Sequence, residues 1–469
     1  MPKRKIYLLS PKELSQEVIA VTFAKTSRSP LTFREIADEL SDESSAEFHE
    51  KWVVGYGHAS VAEHAVLHIA IEDISRLAIE CIESNRLASY TEKSTRYQKW
   101  DAGAFVTPPE LDGHPLRDEY QKTVEMLFQT YADSLVPTRA LIMESNPRRE
   151  NESDDAWDRR IRSKYVDACR FLLPAASFAN VGMTANARVL ESAIRKMLSH
   201  PLEEIRQIGE EIKSAAQGEV PTLLKYADPV PYLVETGKKL SSDSQPISEQ
   251  AGDQNFYCKL IDHDPAAETK ILAAVLYRFG EMSFAQALET IEKKSDSERA
   301  RLAEELLGGL SRYDVPLREL EYSHYTFDLV MDQGAYFEFK RHRMMTQTPQ
   351  ALTVNLGYVT PSLITEAGFG SRYAAAMDGV IGLYFKIAAF NPDLAAYLVP
   401  NGFNRRVLAT FNLREAYHFC QLRAAKNAHF SIRSVARKIY SEIATLHPLL
   451  ATYMSLPEDE TWQDHFTTF

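Results

Sequence analysis

The sequence predicts an α+β protein built from two tandem copies of one mostly helical domain, each with a small antiparallel sheet. Three observations carry this. There is a polar break near the middle of the chain, an ordered set of short motifs repeats on either side of it, and each half reads as mostly helical with a strand-like segment. The break, TGKKLSSDSQPISEQAGD at residues 236–253, has almost no apolar side chain. It sets the expected organisation: a first domain over 1–235, a linker over 236–253 and a second domain over 254–469.

The repeat shows as matched short motifs. Val106-Thr107-Pro108 returns as Val359-Thr360-Pro361, and Tyr120 as Tyr373, both 253 residues on (359 − 106, 373 − 120). Pro174 precedes Asn186 by the same 12 residues that separate Pro400 from Asn412. Here the spacing between copies is 226 (412 − 186), so the first half carries 27 more residues between the anchors (253 − 226). The charged stretch 144–162 and its flanks are the expected insertion. One matched tripeptide means little; several in one order, with a single insertion, indicate a duplication.

Strands are expected at 65–71 and 325–330, where β-branched and aromatic residues alternate in part with polar ones. Helices are expected at 44–56, 74–83, 115–136, 190–215, 297–310, 372–389 and 415–446. No G-x-G-x-x-G and no Walker sequence occurs, so neither a Rossmann nor a P-loop site is indicated.

Composition narrows the function. With 53 Lys and Arg against 65 Asp and Glu the net charge is −12, which argues against general nucleic-acid or membrane binding. An anionic ligand must then be met by a local arginine cluster. The four cysteines, Cys81, Cys169, Cys258 and Cys420, are far apart and read as buried free thiols of a reducing compartment. No signal peptide and no membrane-spanning stretch are read, so the expected location is cytoplasmic. With no H-E-x-x-H and no zinc-type pairing, no metal site is expected.

Two stretches concentrate candidate chemistry. In the first half, 84–97 reads SNRLASYTEKSTRY, rich in hydroxyls and arginine with one carboxylate. Arginine offers a planar two-donor fork and hydroxyls offer adaptable single donors, a combination suited to phosphate. In the second half, Lys340-Arg341-His342-Arg343 follows the aromatic run at 336–339. Basic groups so crowded repel one another unless an anion or a carboxylate intervenes. A polar capped loop and a solvated basic turn are the plainer alternatives for the two stretches.

Together the stretches resemble halves of the motif R-H-R-x-x-S-x-N-x-x-S-x-R of flavin-dependent thymidylate synthases, proteins of the thymidylate-synthase-complementing type. The first half keeps Arg86, Ser89, Ser94 and Arg96, with Ser84 and Asn85 where Arg and His belong. The second keeps Arg341, His342 and Arg343, with Thr346 for the first serine and Ala351 and Thr353 for the last serine and arginine. The internal Asn is Thr in both, Thr91 and Thr348. A family stretch G-H-x-S/T-x-x-E-H matches 57–64; in the second half only Glu321 survives, with Tyr322 in the histidine place. The downstream R-x-x-L-P and N-A-R pattern gives Arg170 and Asn186-Ala187-Arg188, then Ala396 and Asn412-Leu413-Arg414. Arg423 stands at the place of a substrate-contacting arginine, where the first half has Met197, or Arg195 or Lys196 if the register slips. The likeness covers most of both halves, and each copy keeps what the other lost.

The resemblance implies methylation of dUMP to dTMP with FAD as hydride carrier, methylenetetrahydrofolate as carbon donor and NADPH as reductant. Ser94, Arg96, Arg341 and Arg423 would form the catalytic set. Arg96 and Arg170 would bind the nucleotide phosphate, Ser94 and Glu92 would lie near the pyrimidine, and Arg341 and Arg423 would approach from the other half. His58, Ser60 and Glu63 from the first half, with His342, Arg343, Asn412 and Arg414 from the second, would line the flavin site. No protein nucleophile is required; the chain supplies orientation and electrostatics. Sites of the family lie between subunits of a homotetramer, which implies a homodimer of the fused chain. Glu338 replaces a family glutamine near the nucleotide, which opens the alternatives of another pyrimidine nucleotide or a non-catalytic nucleotide-binding role.

Overall fold

The computed structural model describes residues 5–243, 258–311 and 314–458. The chain forms two compact units: Met1–Ser94 with Ala104–Asp118 and Ala176–Ser248, and Thr95–Gly103 with Glu119–Ala175 and Glu249–Phe469. The second unit thus contains the second half of the sequence together with two pieces of the first. Residues 236–243 of the polar break lie in helix Pro231–Asp243, and 244–253 lie outside the described residues.

The first unit holds a three-stranded antiparallel sheet of β1 (Val66–Ser75), β2 (Ser89–Glu92) and β3 (Phe178–Asn186), in the order β1-β3-β2. The second holds β4 (Cys258–His263), β5 (Tyr325–Asp332), β6 (Thr346–Pro349) and β7 (Asn404–Phe411), ordered β4-β5-β7-β6. The registers of the two sheets coincide. His68 faces Thr184, which faces Ser89; Thr326 faces Thr410, which faces Thr346. Side chains alternate faces along a strand, so a slip of one residue would have inverted either core. The matching registers make β1, β2 and β3 the counterparts of β5, β6 and β7.

Helices follow the paired strands β1 and β5, and β3 and β7, at matched points. Ser75 caps helix Arg76–Glu83 through Ala78 N, and Asp332 caps helix Gln333–Phe339 through Ala335 N. Asn186 caps helix Ala187–Leu198 through Val189 N, and Asn412 caps helix Leu413–Arg423 through Glu415 N, both at 2.9 Å. Such caps satisfy N–H groups that a helix start leaves orphaned.

Several expected helices are divided. The helical pattern at 190–215 is two helices, Ala187–Leu198 and Glu203–Ala216, because Pro201 interrupts the ladder. The pattern at 415–446 is Leu413–Arg423 and Phe430–Leu446, with a turn between them. The segment at 44–56 is helix Asp42–Phe48 running into a π-helix, His49–Gly55. The insertion lengthens one helix and adds another: Arg117–Ser145 and Asp154–Cys169 stand where the second copy has Gly370–Phe390 and the single turn Pro392–Ala395.

The expectation that no stretch could span a bilayer needs correction. Helix Gly370–Phe390 is long and apolar enough, but it buries Tyr373, Met377, Val380, Leu383 and Ile387 within the second unit. Asp133 and Glu119 pair with its Arg372 and Lys386, which is the pattern of an amphipathic core helix. The core of the second unit gathers Phe327, Phe339, Phe411, Phe419, Ile432 and Ile439 on the buried face of its sheet. Burying each of these side chains contributes about 1.5–3 kcal/mol.

Candidate functional site

The densest buried polar cluster described lies in the second unit, and both halves of the sequence contribute to it. Arg96, just after β2, extends Nη1 to Glu338 Oε1 at 3.1 Å and to the Asn427 carbonyl at 2.9 Å. Its Nε faces Asp167 Oδ2 at 3.1 Å. Arg170, 2% exposed, places Nε 2.9 Å from the other oxygen of Asp167 and donates to Thr95 Oγ1 at 2.8 Å. Glu338 also accepts from Arg423 Nη1 at 2.9 Å and from the His429 backbone N–H at 3.2 Å.

A fully buried histidine supports this cluster. His429 sets Nδ1 2.9 Å from Asp167 and Nε2 3.6 Å from Asp332, with Phe171 and Phe430 against its ring. The close approach explains Gly334: a Cβ there would meet Asp332 Oδ1 at 2.9 Å, His429 Nε2 at 3.2 Å and Arg170 Nη2 at 3.4 Å.

Charge coupling is visible in the acidities. Burial would raise the Asp167 carboxyl, but the charges of His429, Arg170 and Arg96 hold it well below the usual carboxylate range. Arg96 is pushed up because Asp167 and Glu338 outweigh its burial. Arg423 is pushed down by burial, and the positive charges of Arg341 and Arg96 add to that effect against the pull of Glu338. Arg341 is exposed, and its charge is felt at Arg423.

The second-unit residues expected at a flavin are engaged within the unit. Arg423 Nε donates to His342 Nε2 at 2.9 Å, and His342 Nδ1 lies 2.8 Å from Glu415 Oε1, so both ring nitrogens of this buried histidine are used. Asn412 Oδ1 is the helix cap already described. Arg414 donates to Glu321 Oε1 at 3.0 Å and to the Pro316 carbonyl at 2.9 Å. Arg343 is half-buried. Tyr322, beside Glu321, borders a cleft of about 820 Å³ with Tyr277, Phe284 and Arg278.

In the first unit, His58 and Ser60 are exposed around the start of the short helix Ala59–His64. The His58 ring lies 6.1 Å from Trp52, which stacks on Tyr56 at 5.0 Å. Glu63 pairs with Arg188. Glu92 pairs with Arg76 at 2.6 Å, both side chains being 3% exposed or less. Ser94, half-buried, ends the segment that carries β2. Among the described residues no His, Cys, Asp and Glu side chains group to hold a metal ion. Cys169 and Cys258 are buried free thiols, raised to about 11 and about 12 by burial, and Cys81 is half-buried.

Sequence reasoning missed Asp167, His429 and Glu415 and took Glu338 only as a departure. Two of them had a local signal: Asp167 stands three residues before Arg170 at the end of a helical run, and Glu415 stands three after Asn412 as in a capping box.

Two related α+β modules in tandem, with one arginine-rich cluster drawn from both halves of the sequence, define the class. Residues 9–222 and 259–449 match the family Thy1, thymidylate synthase complementing protein, and the chain belongs to it. It is 29% identical over 479 residues to a UPF0159 protein of Chlamydia muridarum, covering 94% of this chain and 90% of the relative. It is 30% identical over 229 residues to a flavin-dependent thymidylate synthase of Clostridium tetani, covering 48% of this chain and 87% of that one. A solved UMP/dUMP methylase from Streptomyces cacaoi, bound with 5-Br dUMP, is 17% identical with a TM-score of 0.33, over 42% of this chain and 93% of that chain.

Proposed function

We propose that this chain is a cytoplasmic enzyme that methylates dUMP to dTMP with FAD, methylenetetrahydrofolate and NADPH, working as a dimer of the fused chain. One observation carries the reading. Arg96 and Arg170, from the first half of the sequence, share a single charged network with Glu338 and Arg423 from the second half, and the charge of Arg341 reaches it. Guanidinium forks held at fixed angles by buried carboxylates are preorganised donors for a nucleotide phosphate. Membership of the Thy1 family and likeness to flavin-dependent thymidylate synthases support methyl transfer to a pyrimidine nucleotide.

The residues present fit a flavin in part. His58 and Ser60 are exposed beside the Trp52–Tyr56 stack, a setting suited to a flat ring. His342, Asn412 and Arg414 are committed to partners in the second unit, so their part is to hold the frame. A bound FAD would supply hydride chemistry: the two electrons of NADPH would reduce the methylene carbon to a methyl group as tetrahydrofolate departs, and the C5 hydrogen of the pyrimidine would leave as a proton. The chain's own work is to meet the phosphate with Arg96, which Arg170 steadies through their shared partner Asp167, to orient the pyrimidine with Arg341 and Arg423, and to exclude water.

The test begins with the visible absorption spectrum after incubation with FAD and desalting. Retained flavin bands and dTMP formation from dUMP are expected. Arg96→Ala and Arg341→Ala should each abolish that activity, while Thr353→Ala, at the position where the second copy has no arginine, should be silent. A folded protein that retains no flavin and tolerates both arginine changes would sink the reading in favour of a non-catalytic nucleotide binder. Glu338 favours one alternative: its carboxylate stands where the family places a glutamine, so retained flavin without dTMP formation would point to another pyrimidine nucleotide.

A further inference from the structure

Arg423 is fixed by two bonds that use different edges of its guanidinium. Nη1 donates to Glu338 Oε2 at 2.9 Å and Nε donates to His342 Nε2 at 2.9 Å, and Nη2 takes part in neither bond. Arginine has no acceptor, so His342 Nε2 must carry the lone pair and Nδ1 the proton. That Nδ1–H donates to Glu415 Oε1 at 2.8 Å. Glu415 is 8% exposed and His342 4% exposed, so neither group has water as a ready substitute partner. The groups facing the His342 ring are Glu415, Arg423, His418 at 5.4 Å between centroids, and Phe419 at 4.8 Å.

The first copy of the repeat offers an internal control. By the matched strands and caps, His342, Glu415 and Arg423 correspond to Asn85, Val189 and Met197. Asn85 donates to the Ile82 carbonyl and accepts from Lys196 Nζ, while Val189 and Met197 are buried apolar side chains. Where the arginine is absent, the histidine and the glutamate are absent with it.

We propose that Glu415 and His342 are positioning residues of Arg423: Glu415 locks the His342 tautomer, and His342 turns the Nη2 edge of Arg423 toward the bound pyrimidine nucleotide. This rests on the nucleotide reading of the site. Burial, with the adjoining Arg423 charge, holds His342 below the ordinary histidine value despite Glu415, so the ring is a neutral acceptor at neutral pH. Without Glu415, the tautomer with Nε2–H becomes available, and two donors then face each other across the Arg423 contact.

The experiment compares the full-length wild type with Glu415→Ala and Glu415→Gln, whose amide oxygen can still accept from Nδ1–H. Histidine-labelled ¹⁵N spectra, with His342→Gln for assignment, should show a neutral Nδ1–H ring in wild type and Glu415→Gln. The Arg423 Nε–H should be protected from exchange in both, and both features should be lost in Glu415→Ala. In dUMP kinetics, Glu415→Ala should raise KM roughly ten- to a hundred-fold with a smaller change in kcat, and Glu415→Gln should restore most of it. Lowering the pH through the His342 transition should weaken dUMP in wild type, because protonation removes the acceptor. An unchanged tautomer, Nε–H protection and KM in Glu415→Ala would overturn the proposal. If wild type binds no dUMP, the function reading fails separately, and the two spectroscopic signals still decide whether Glu415 positions Arg423.

Discussion

The two copies share a sheet register and cap their helices at the same points, yet they bury opposite chemistry. In the second copy, Glu338, His342, Glu415 and Arg423 form a connected polar chain that starts on the helix following β5. The first copy has Cys81, Asn85, Val189 and Met197 at those positions, and burial raises the Cys81 thiol to about 11, so it is neutral. The exchange also runs the other way. The first copy buries Arg76 against Glu92, where the second has Gln333 and Pro349. Leu77 stands where the second copy needs Gly334 to admit His429 and Arg170. A buried charge is costly unless fully partnered. Once the domain was duplicated, each copy could keep only the charges its own surroundings satisfy.

The largest expected effect breaks the cluster at its centre. Asp167→Ala leaves Arg96, Arg170 and His429 facing one another without their shared carboxylate. Chemical denaturation should show a loss near the upper end of about 3–5 kcal/mol, since removing one partner of a buried pair strands the others. A loss below about 1 kcal/mol would mean that Glu338 and Thr95 suffice for the arginines.

Grafting tests whether the comparison is causal. Met197→Arg alone buries an unpaired cation in the first unit and should cost about 3 kcal/mol or more. Adding Val189→Glu, Asn85→His and Cys81→Glu rebuilds the second copy's chain of partners and should recover a measurable part of that loss. A quadruple variant no more stable than Met197→Arg would show that the two backbones differ more than their registers suggest.

A milder contrast is expected in acid. His200 in the first unit is held down to about 4, first by burial and then by Arg206 and Lys196. A histidine depressed in the folded state leaves stability intact above its unfolded value near 6.5 and removes it as pH falls from there toward 4. His200→Asn should flatten that limb by on the order of 1–2 kcal/mol in denaturation measured against pH. Asp167 titrates lower, so its contribution to the second unit should fade only below the ordinary aspartate value near 3.9. The smallest effect belongs to the exposed pair of Glu63 and Arg188: Glu63→Gln should change stability by less than about 0.5 kcal/mol, whatever it does to flavin retention.

Several features were legible in the chain because they are local or ordered. Strand alternation depends on neighbours in sequence, and the repeat depends only on motif order, so β1, β5 and the duplication could be read directly. The arginines stood out because Arg96, Arg170, Arg341 and Arg423 sit in motif positions. Boundaries were less legible. The periodicity at 415–446 is continuous in composition, yet the turn at 424–429 is needed to bring the Asn427 carbonyl to Arg96 and His429 to Asp167.

Sequence by itself determined the α+β class, the duplication and the division of motif residues between its halves, because hydrophobic period is a local property and motif order is carried by the chain itself. Tertiary structure alone decided which charges meet. Asp167 comes from the helix that the insertion adds, His429 from a turn, and Glu338 and Glu415 from two helices of the second copy. Asp167 carries a local signal toward Arg170, but nothing along the chain names Arg96 or His429 as its partners, or Arg96 and Arg423 as those of Glu338. Only packing, which forbids a buried charge without one, assigns Asp167 and Glu338 to the arginines and His342 to Arg423.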